Sequence, residues 1–255
     1  MASSIYEKLL STSKSKGAAY LVLIDPDKIN GNDIPDFVGA ATAAGVDGFL
    51  IGSSLLLDGT FDNTIAAAKK HTSAPVIIFP GGIQQISKEA DAILFLSLIS
   101  GRNAEHLIGS QVLAAPVIKR LNLEAISTAY ILIDSGKITA AEFMSNTKPI
   151  PRNKPEIAVA HALAAEYLGF KLIYLEAGSG AEQSVPEEII SAVAKNCSVP
   201  LIVGGGISTP DEAQRKVSAG ASFIVTGTVL EKNGSPALIK KFASAIHSPR
   251  RIYSQ

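Results

Sequence analysis

Short runs rich in valine, isoleucine and leucine alternate along the chain with longer alanine-rich stretches whose apolar residues recur at helical spacing. Short, continuously apolar runs suit parallel strands buried on both faces, and the stretches between them suit crossover helices packed outside. Eight such runs occur: Tyr20 to Ile24, Gly48 to Ile51, Val76 to Phe79, Ala92 to Leu96, Ala129 to Ile133, Leu172 to Leu175, Leu201 to Val203 and Phe223 to Thr226. Helices are predicted over Pro35 to Ala44, Asp62 to His71, Asn103 to Leu113, Pro155 to Leu168, Pro186 to Lys195, Thr209 to Ala219 and Pro236 to His247. Eight strands alternating with helices predict a single eight-stranded β/α barrel of the TIM type, spanning residues 1–255 as one domain.

Local signals agree with this reading. In Ser208-Thr209-Pro210-Asp211-Glu212 a hydroxyl can accept free backbone N–H groups, proline tolerates the first helical turn, and the acids suit the helix dipole. Gly45, Gly169 and Gly220 follow their helices as stop signals. Two intervals depart from the repeat. Only Pro80 to Asp91 separates the third and fourth strands, and Pro80-Gly81-Gly82 uses part of it, so the third helix is expected to be reduced or missing. Ser135 to Lys154, with Pro149 and Pro151, is expected to be an extended loop over one rim.

The 255 residues are 47% hydrophobic and 18% charged, enough to build a core. Lys and Arg total 23, as do Asp and Glu, so no basic footprint for nucleic acid exists and none is expected as a partner. One cysteine, Cys197, excludes an intrachain disulfide. Glu7, Lys8, Lys14 and Lys16 interrupt the N-terminus before a signal-type apolar stretch forms, and no run approaches the roughly 18 to 20 residues of a membrane span. A soluble, cytoplasmic protein is expected, with at most transient membrane contact.

Candidate chemistry gathers at the C-terminal strand ends, where barrel enzymes carry their sites. Leu201-Ile202-Val203-Gly204-Gly205-Gly206-Ile207 puts three glycines after a buried strand, and Phe223-Ile224-Val225-Thr226-Gly227-Thr228 repeats the device after the next one. Paired loops after the seventh and eighth strands commonly bind phosphate through backbone amides. Leu23-Ile24-Asp25-Pro26-Asp27-Lys28 ends the first strand with carboxylates suited to Mg²⁺, and Ile51-Gly52-Ser53-Ser54 adds hydroxyls at the same rim. Tyr174-Leu175-Glu176-Ala177-Gly178-Ser179-Gly180 ends the sixth strand with a carboxylate able to accept a hydroxyl proton or hold polyol hydroxyls. The competing structural roles are a helix cap or turn residue for Asp25 and an ion pair with a barrel lysine for Glu176. His71, His106, His161 and His247 lack metal-ligand spacing and receive no catalytic role.

These motifs together, in this order, resemble the geranylgeranylglyceryl phosphate synthases, in the longer branch of that family, over nearly the whole chain. The shorter bacterial heptaprenylglyceryl phosphate synthases carry a lysine two positions before the first-strand aspartate, where this chain has Leu23. The resemblance implies an Mg²⁺-dependent prenyltransferase of ether-lipid synthesis. It would join the 3-hydroxyl of sn-glycerol 1-phosphate to geranylgeranyl diphosphate and release diphosphate. It implies Asp25 and Ser54 as Mg²⁺ ligands, and Tyr174, Leu175, Glu176, Ala177, Gly178, Ser179, Gly180, Gly205, Gly206, Gly227 and Thr228 as the positions holding glycerol phosphate. Glu176 is the candidate base and Asp25 the other catalytic carboxylate. The resemblance further implies a barrel without a regular third helix and a homodimer or higher homo-oligomer, and the Lys148 to Pro155 rim is expected as a cover. Two other readings stand beside it: a phosphosugar isomerase of the histidine or tryptophan pathway type, and a non-catalytic module binding phosphorylated metabolites.

Overall fold

A computed structural model describes residues 3–57 and 59–247. Eight parallel strands close in sequence order: β1 (Ala19–Ile24), β2 (Gly48–Ile51), β3 (Val76–Ile78), β4 (Ala92–Leu98), β5 (Glu124–Leu132), β6 (Leu172–Glu176), β7 (Leu201–Gly204) and β8 (Phe223–Thr226). Strand β8 returns to β1 with Ala19 opposite Phe223, which seals the sheet and leaves no edge. Two apolar layers hold it. Leu21, Leu50, Ile77, Leu94, Ile126, Leu172, Ile202 and Phe223 fill the interior, while the alternate residues, including Val22, Phe49, Ile78, Ile173, Val203 and Ile224, meet the helices outside.

The outer helices are α2 (Ile34–Ala43), α3 (Phe61–Lys70), α4 (Ser110–Arg120), α6 (Pro155–Tyr167), α7 (Glu187–Asn196), α8 (Pro210–Ala219) and α10 (Pro236–Ile246), with α5 (Ala140–Ser145) and α9 (Thr228–Asn233) following the C-terminal ends of β5 and β8. Helix α8 starts as its sequence requires, Thr209 Oγ1 accepting the Glu212 amide at 3.2 Å. Gly45, Gly169 and Gly220 follow α2, α6 and α8 at positive φ.

The interval between β3 and β4 holds no helix, as its length requires. It crosses as a strap pinned by Gln85, whose fully buried side chain accepts the Ser53 and Gly81 amides and donates to Ser53 O at 2.7 Å. One glutamine thus satisfies backbone groups that a helix would have satisfied by itself.

Several elements depart from the sequence reading. An N-terminal helix, α1 (Ile5–Lys16), closes the bottom of the barrel with Leu9 in the interior core, and Glu124 accepts the Ile5 and Tyr6 amides at 2.7 and 3.0 Å. Its apolar stripe is thin, but Ser4 and Glu7 form a capping box that marks its start. Strand β5 begins five residues before the expected Ala129, because Ser127 and Thr128 hide its apolar pattern. The helix expected to end at Leu113 runs to Arg120 through Pro116, preceded by a π-helical turn at Glu105–Gly109. The loop expected over Ser135 to Lys154 contains α5, and Ile150 bridges Ile133 at the end of β5.

Candidate active site

The C-terminal strand ends open into a cavity of about 660 Å³. Glu176 is the last residue of β6, and strand alternation turns it inward with Tyr174 while Leu175 and Ala177 enter the helix-side core. Glu176 is 4% exposed and makes no ion pair among the described residues, so the barrel-lysine role does not occur. Burial raises its pKa to about 7, against the opposing pull of the Gly178 amide and the Tyr174 and Tyr130 hydroxyls. Gly178 N donates to Glu176 Oε1 at 2.6 Å. Tyr174 Oη is buried beside the same carboxylate and has no partner at regular hydrogen-bond geometry. Burial, then the charge of Glu176, holds both phenols well above the usual tyrosine range. A carboxyl poised near neutrality is suited to take a proton from an alcohol.

The glycine loops crowd this carboxylate. Gly205 and Gly206 take φ of +79° and +72°, a turn whose successive amides can face an anion. A Cβ on Gly205 would lie 2.2 Å from Glu176 Oε1, so only glycine lets this loop approach the carboxylate. Behind the loop, Glu212 accepts the Ser208 amide at 2.9 Å and the Ser184 hydroxyl. Ser179 Oγ lies 3.3 Å from Thr228 Oγ1, joining the β6 loop to the start of α9. Tyr174, Glu176, Ser179, Gly180, Gly205, Gly206, Gly227 and Thr228 all line the cavity, whereas the Leu175 and Ala177 side chains face away and Gly178 serves Glu176.

Asp25, one residue past β1, lines the same cavity with Ser54, and β1 is the register neighbour of β8. Its Oδ1 accepts the Asp27 amide at 3.2 Å, so it also plays the turn role considered for it, while Oδ2 pairs Lys28 at 3.0 Å. Lys28 reaches Glu231 at 3.6 Å as well; burial would lower its pKa, but these two carboxylates outweigh that and raise it. Its sign at neutral pH is therefore fixed. Among the described residues no three His, Cys, Asp or Glu side chains gather into a cage. One carboxylate, a hydroxyl and an open cavity still fit Mg²⁺, which takes one or two protein ligands and completes its shell with water and substrate phosphates.

The cavity continues as an apolar groove through the gap left by the missing helix. Both faces of β4 line it, Ile93 and Phe95 from the outside and Leu94 and Leu96 from within, with Ile86 of the strap and Ile118 of α4. Its rim includes Ala140, Ala141 and Met144 of α5. No residue of Lys148 to Pro155, the rim expected as a cover, lines the cavity, and Ile150 N donates to Leu132 O at 2.8 Å. His106 lies at the groove, while Arg152 donates to Asp134 O at 3.0 Å. Sequence reasoning passed over Lys28, Phe79, Tyr130 and Gln85; only Lys28 carried a signal, standing three residues after Asp25.

The PcrB family profile matches residues 11–246. A protein named geranylgeranylglyceryl phosphate synthase from Chitinophaga pinensis is 46% identical, covering 97% of this chain and 98% of its own. One of the same name from Thermococcus gammatolerans is 45% identical, covering 97% and 96%. Among solved structures, (S)-3-O-geranylgeranylglyceryl phosphate synthase from Thermoplasma acidophilum, in complex with its substrate sn-glycerol-1-phosphate, superposes with a TM-score of 0.92 at 35% identity, covering 96% and 99%. Tryptophan synthase from Mycobacterium tuberculosis, with a TM-score of 0.61 at 14% identity, shares the fold alone.

Proposed function

The chain belongs to the PcrB family, and from that premise we propose that it transfers a prenyl group, geranylgeranyl in its principal reaction, from the diphosphate to the 3-hydroxyl of sn-glycerol 1-phosphate. The observation that carries the reading is the course of the cavity. It connects two glycine loops, a buried carboxyl near neutral pKa, an Asp25–Lys28 wall and an apolar groove, the sequence of environments that a phosphate, a hydroxyl, a diphosphate and an isoprenoid tail require.

The glycine loops hold the glycerol phosphate through amides and the Ser179 and Thr228 hydroxyls, leaving its far hydroxyl at Glu176. Tyr174 Oη, without a partner of its own, is available to orient that hydroxyl. Glu176 takes the proton as the oxygen attacks. Lys28 lies beside the leaving diphosphate and balances part of its charge. Mg²⁺ held by Asp25 and Ser54 would supply the remaining neutralisation of the departing group. The groove and α5 exclude water, which would otherwise capture the allylic carbon as a free alcohol.

A cytoplasmic homodimer or higher homo-oligomer, touching membrane at most transiently, completes the reading. No described helix is long and apolar enough to cross a membrane. Phe143 on α5 and Tyr167 and Leu168 at the end of α6 are strongly exposed, as side chains awaiting a second copy would be. The test is incubation of purified protein with radiolabelled glycerol 1-phosphate, Mg²⁺ and a ladder of prenyl diphosphates, then organic extraction. Label in the organic phase with one preferred donor is expected. Saturable glycerol phosphate binding with no extractable product would instead favour a binding module, and turnover of a ribosyl phosphate an isomerase.

A further inference from the structure

We propose that Phe79 is a further catalytic residue, the face of its ring stabilising the positive charge that develops on the allylic carbon of the donor as diphosphate departs. The proposal rests on the transferase reading above. Phe79 follows the last residue of β3, where the chain turns into the strap, and its half-buried ring lines the cavity. The ring stacks on Tyr174 with centroids 5.1 Å apart and planes 1° from parallel. Tyr130 stands edge-on to both, at 5.9 Å from Phe79 and 5.4 Å from Tyr174, inclined 67° to each.

The three rings form one block beside the base. Tyr174 precedes Glu176 by two residues on the inward face of β6, and Tyr130 is its register partner on β5. Backbone contacts fix the Phe79 end of the block. Its amide donates to Ile51 O at 2.9 Å, and a Cβ on Gly52 would fall 1.8 Å from Phe79 O, so glycine is required for that approach. Phe79 therefore stands between the rim carrying Asp25 and Ser54 and the strand end carrying Glu176, where the apolar groove opens beneath the strap.

Those three neighbours define where the reacting carbon lies. It must have the departing diphosphate on one side, the glycerol oxygen on the other, and its tail in the groove. During transfer the carbon–oxygen bond to diphosphate breaks and the diphosphate keeps the electron pair. The glycerol oxygen forms the ether bond and its proton passes to Glu176. Until that bond is complete the allylic carbons share positive charge, and the negative face of an aromatic ring attracts it. A phenyl ring, unlike a carboxylate or phenol, offers no oxygen that could trap the cation, which is a chemical reason for phenylalanine at this wall.

Fluorinated phenylalanines placed at position 79 test this, because they preserve ring shape while withdrawing electron density from its face. The readout is the single-turnover rate of ether formation from sn-glycerol 1-phosphate and geranylgeranyl diphosphate. The rate is expected to fall stepwise through monofluoro, trifluoro and pentafluoro rings, reaching about thirtyfold for a desolvated face. The KM for glycerol phosphate should stay constant, and Phe79→Leu should show the same fall. A flat fluorine series in active enzyme overturns the role of Phe79 alone, as does Phe79→Leu turning over at the wild-type rate. Wild-type protein that binds glycerol phosphate yet forms no ether removes the transferase reading, and this role with it.

Discussion

Replacing Glu176 by glutamine separates what the carboxyl does for catalysis from what it costs the fold. Burial raises the pKa of Glu176 from 4.5 to about 7. Since a difference of one in pKa corresponds to about 1.36 kcal/mol, holding the ionised form in the folded barrel costs about 3 kcal/mol. The sign follows from the raised folded-state value. Wild-type stability from this group is full below the unfolded value near 4.5 and is lost as pH rises to about 7, above which the native state carries a buried anion that the unfolded chain would solvate freely. Glu176→Gln removes that anion, keeps an oxygen for the Gly178 amide, and is therefore expected to be more stable than wild type at pH 8, with the advantage vanishing near pH 4. For a chain of this size about 3 kcal/mol corresponds to roughly 6 to 12 °C in Tm. Thermal denaturation of both proteins from pH 4 to pH 9 reads the difference directly. Catalysis should be lost at every pH. A Tm difference that does not change across this range would refute the argument that an uncompensated buried carboxylate is present.

Four further outcomes follow from the same geometry. Wild-type kcat/KM should rise with pH through about 7, because only ionised Glu176 can accept the hydroxyl proton, and a pH–rate profile flat across neutrality would remove it as the base. Asp25→Asn should abolish turnover while glycerol phosphate binding, measured by calorimetry, stays near wild type, since the Asp25 carboxylate engages the Asp27 amide and Lys28 and not the glycine loops. Gly205→Ala should weaken glycerol phosphate binding by more than tenfold, its Cβ falling 2.2 Å from Glu176 Oε1 at a backbone φ of +79°; wild-type affinity would show that the loop does not bind the phosphate. Chelating divalent metal should stop ether formation and leave glycerol phosphate binding intact, a separation readable by comparing product extraction with equilibrium dialysis.

Most of the barrel is legible in the sequence, because strands buried on both faces must be continuously apolar and glycines and prolines punctuate the turns between them. The interval from Pro80 to Asp91 was too short for a helix, so its absence was readable by counting. Elements that owe their existence to other parts of the molecule were not. Helix α1 has a thin apolar stripe and is held by Glu124, a residue over a hundred positions away. Helix α5 is six residues long, too short to form alone, and needs the rim beneath it.

The sequence by itself determined which residue types stand at each strand end: Asp25 after the first, Glu176 at the sixth, glycines after the seventh and eighth. Periodicity and short-range turn chemistry act within a few residues, so such features survive in one dimension. Tertiary structure alone decided what those residues experience. That the pKa of Glu176 is raised to about 7 depends on its burial among residues distant in the chain, and that Leu175 faces away while Tyr174 faces in depends on the register of closure. The groove exists because the strap, standing where a helix would, leaves Phe95 and Leu96 on the two faces of β4 partly exposed, and the Phe79–Tyr130–Tyr174 block gathers rings from positions spread over more than ninety residues. Burial, field and shape are sums over neighbours distant in the chain, so no local pattern carries them.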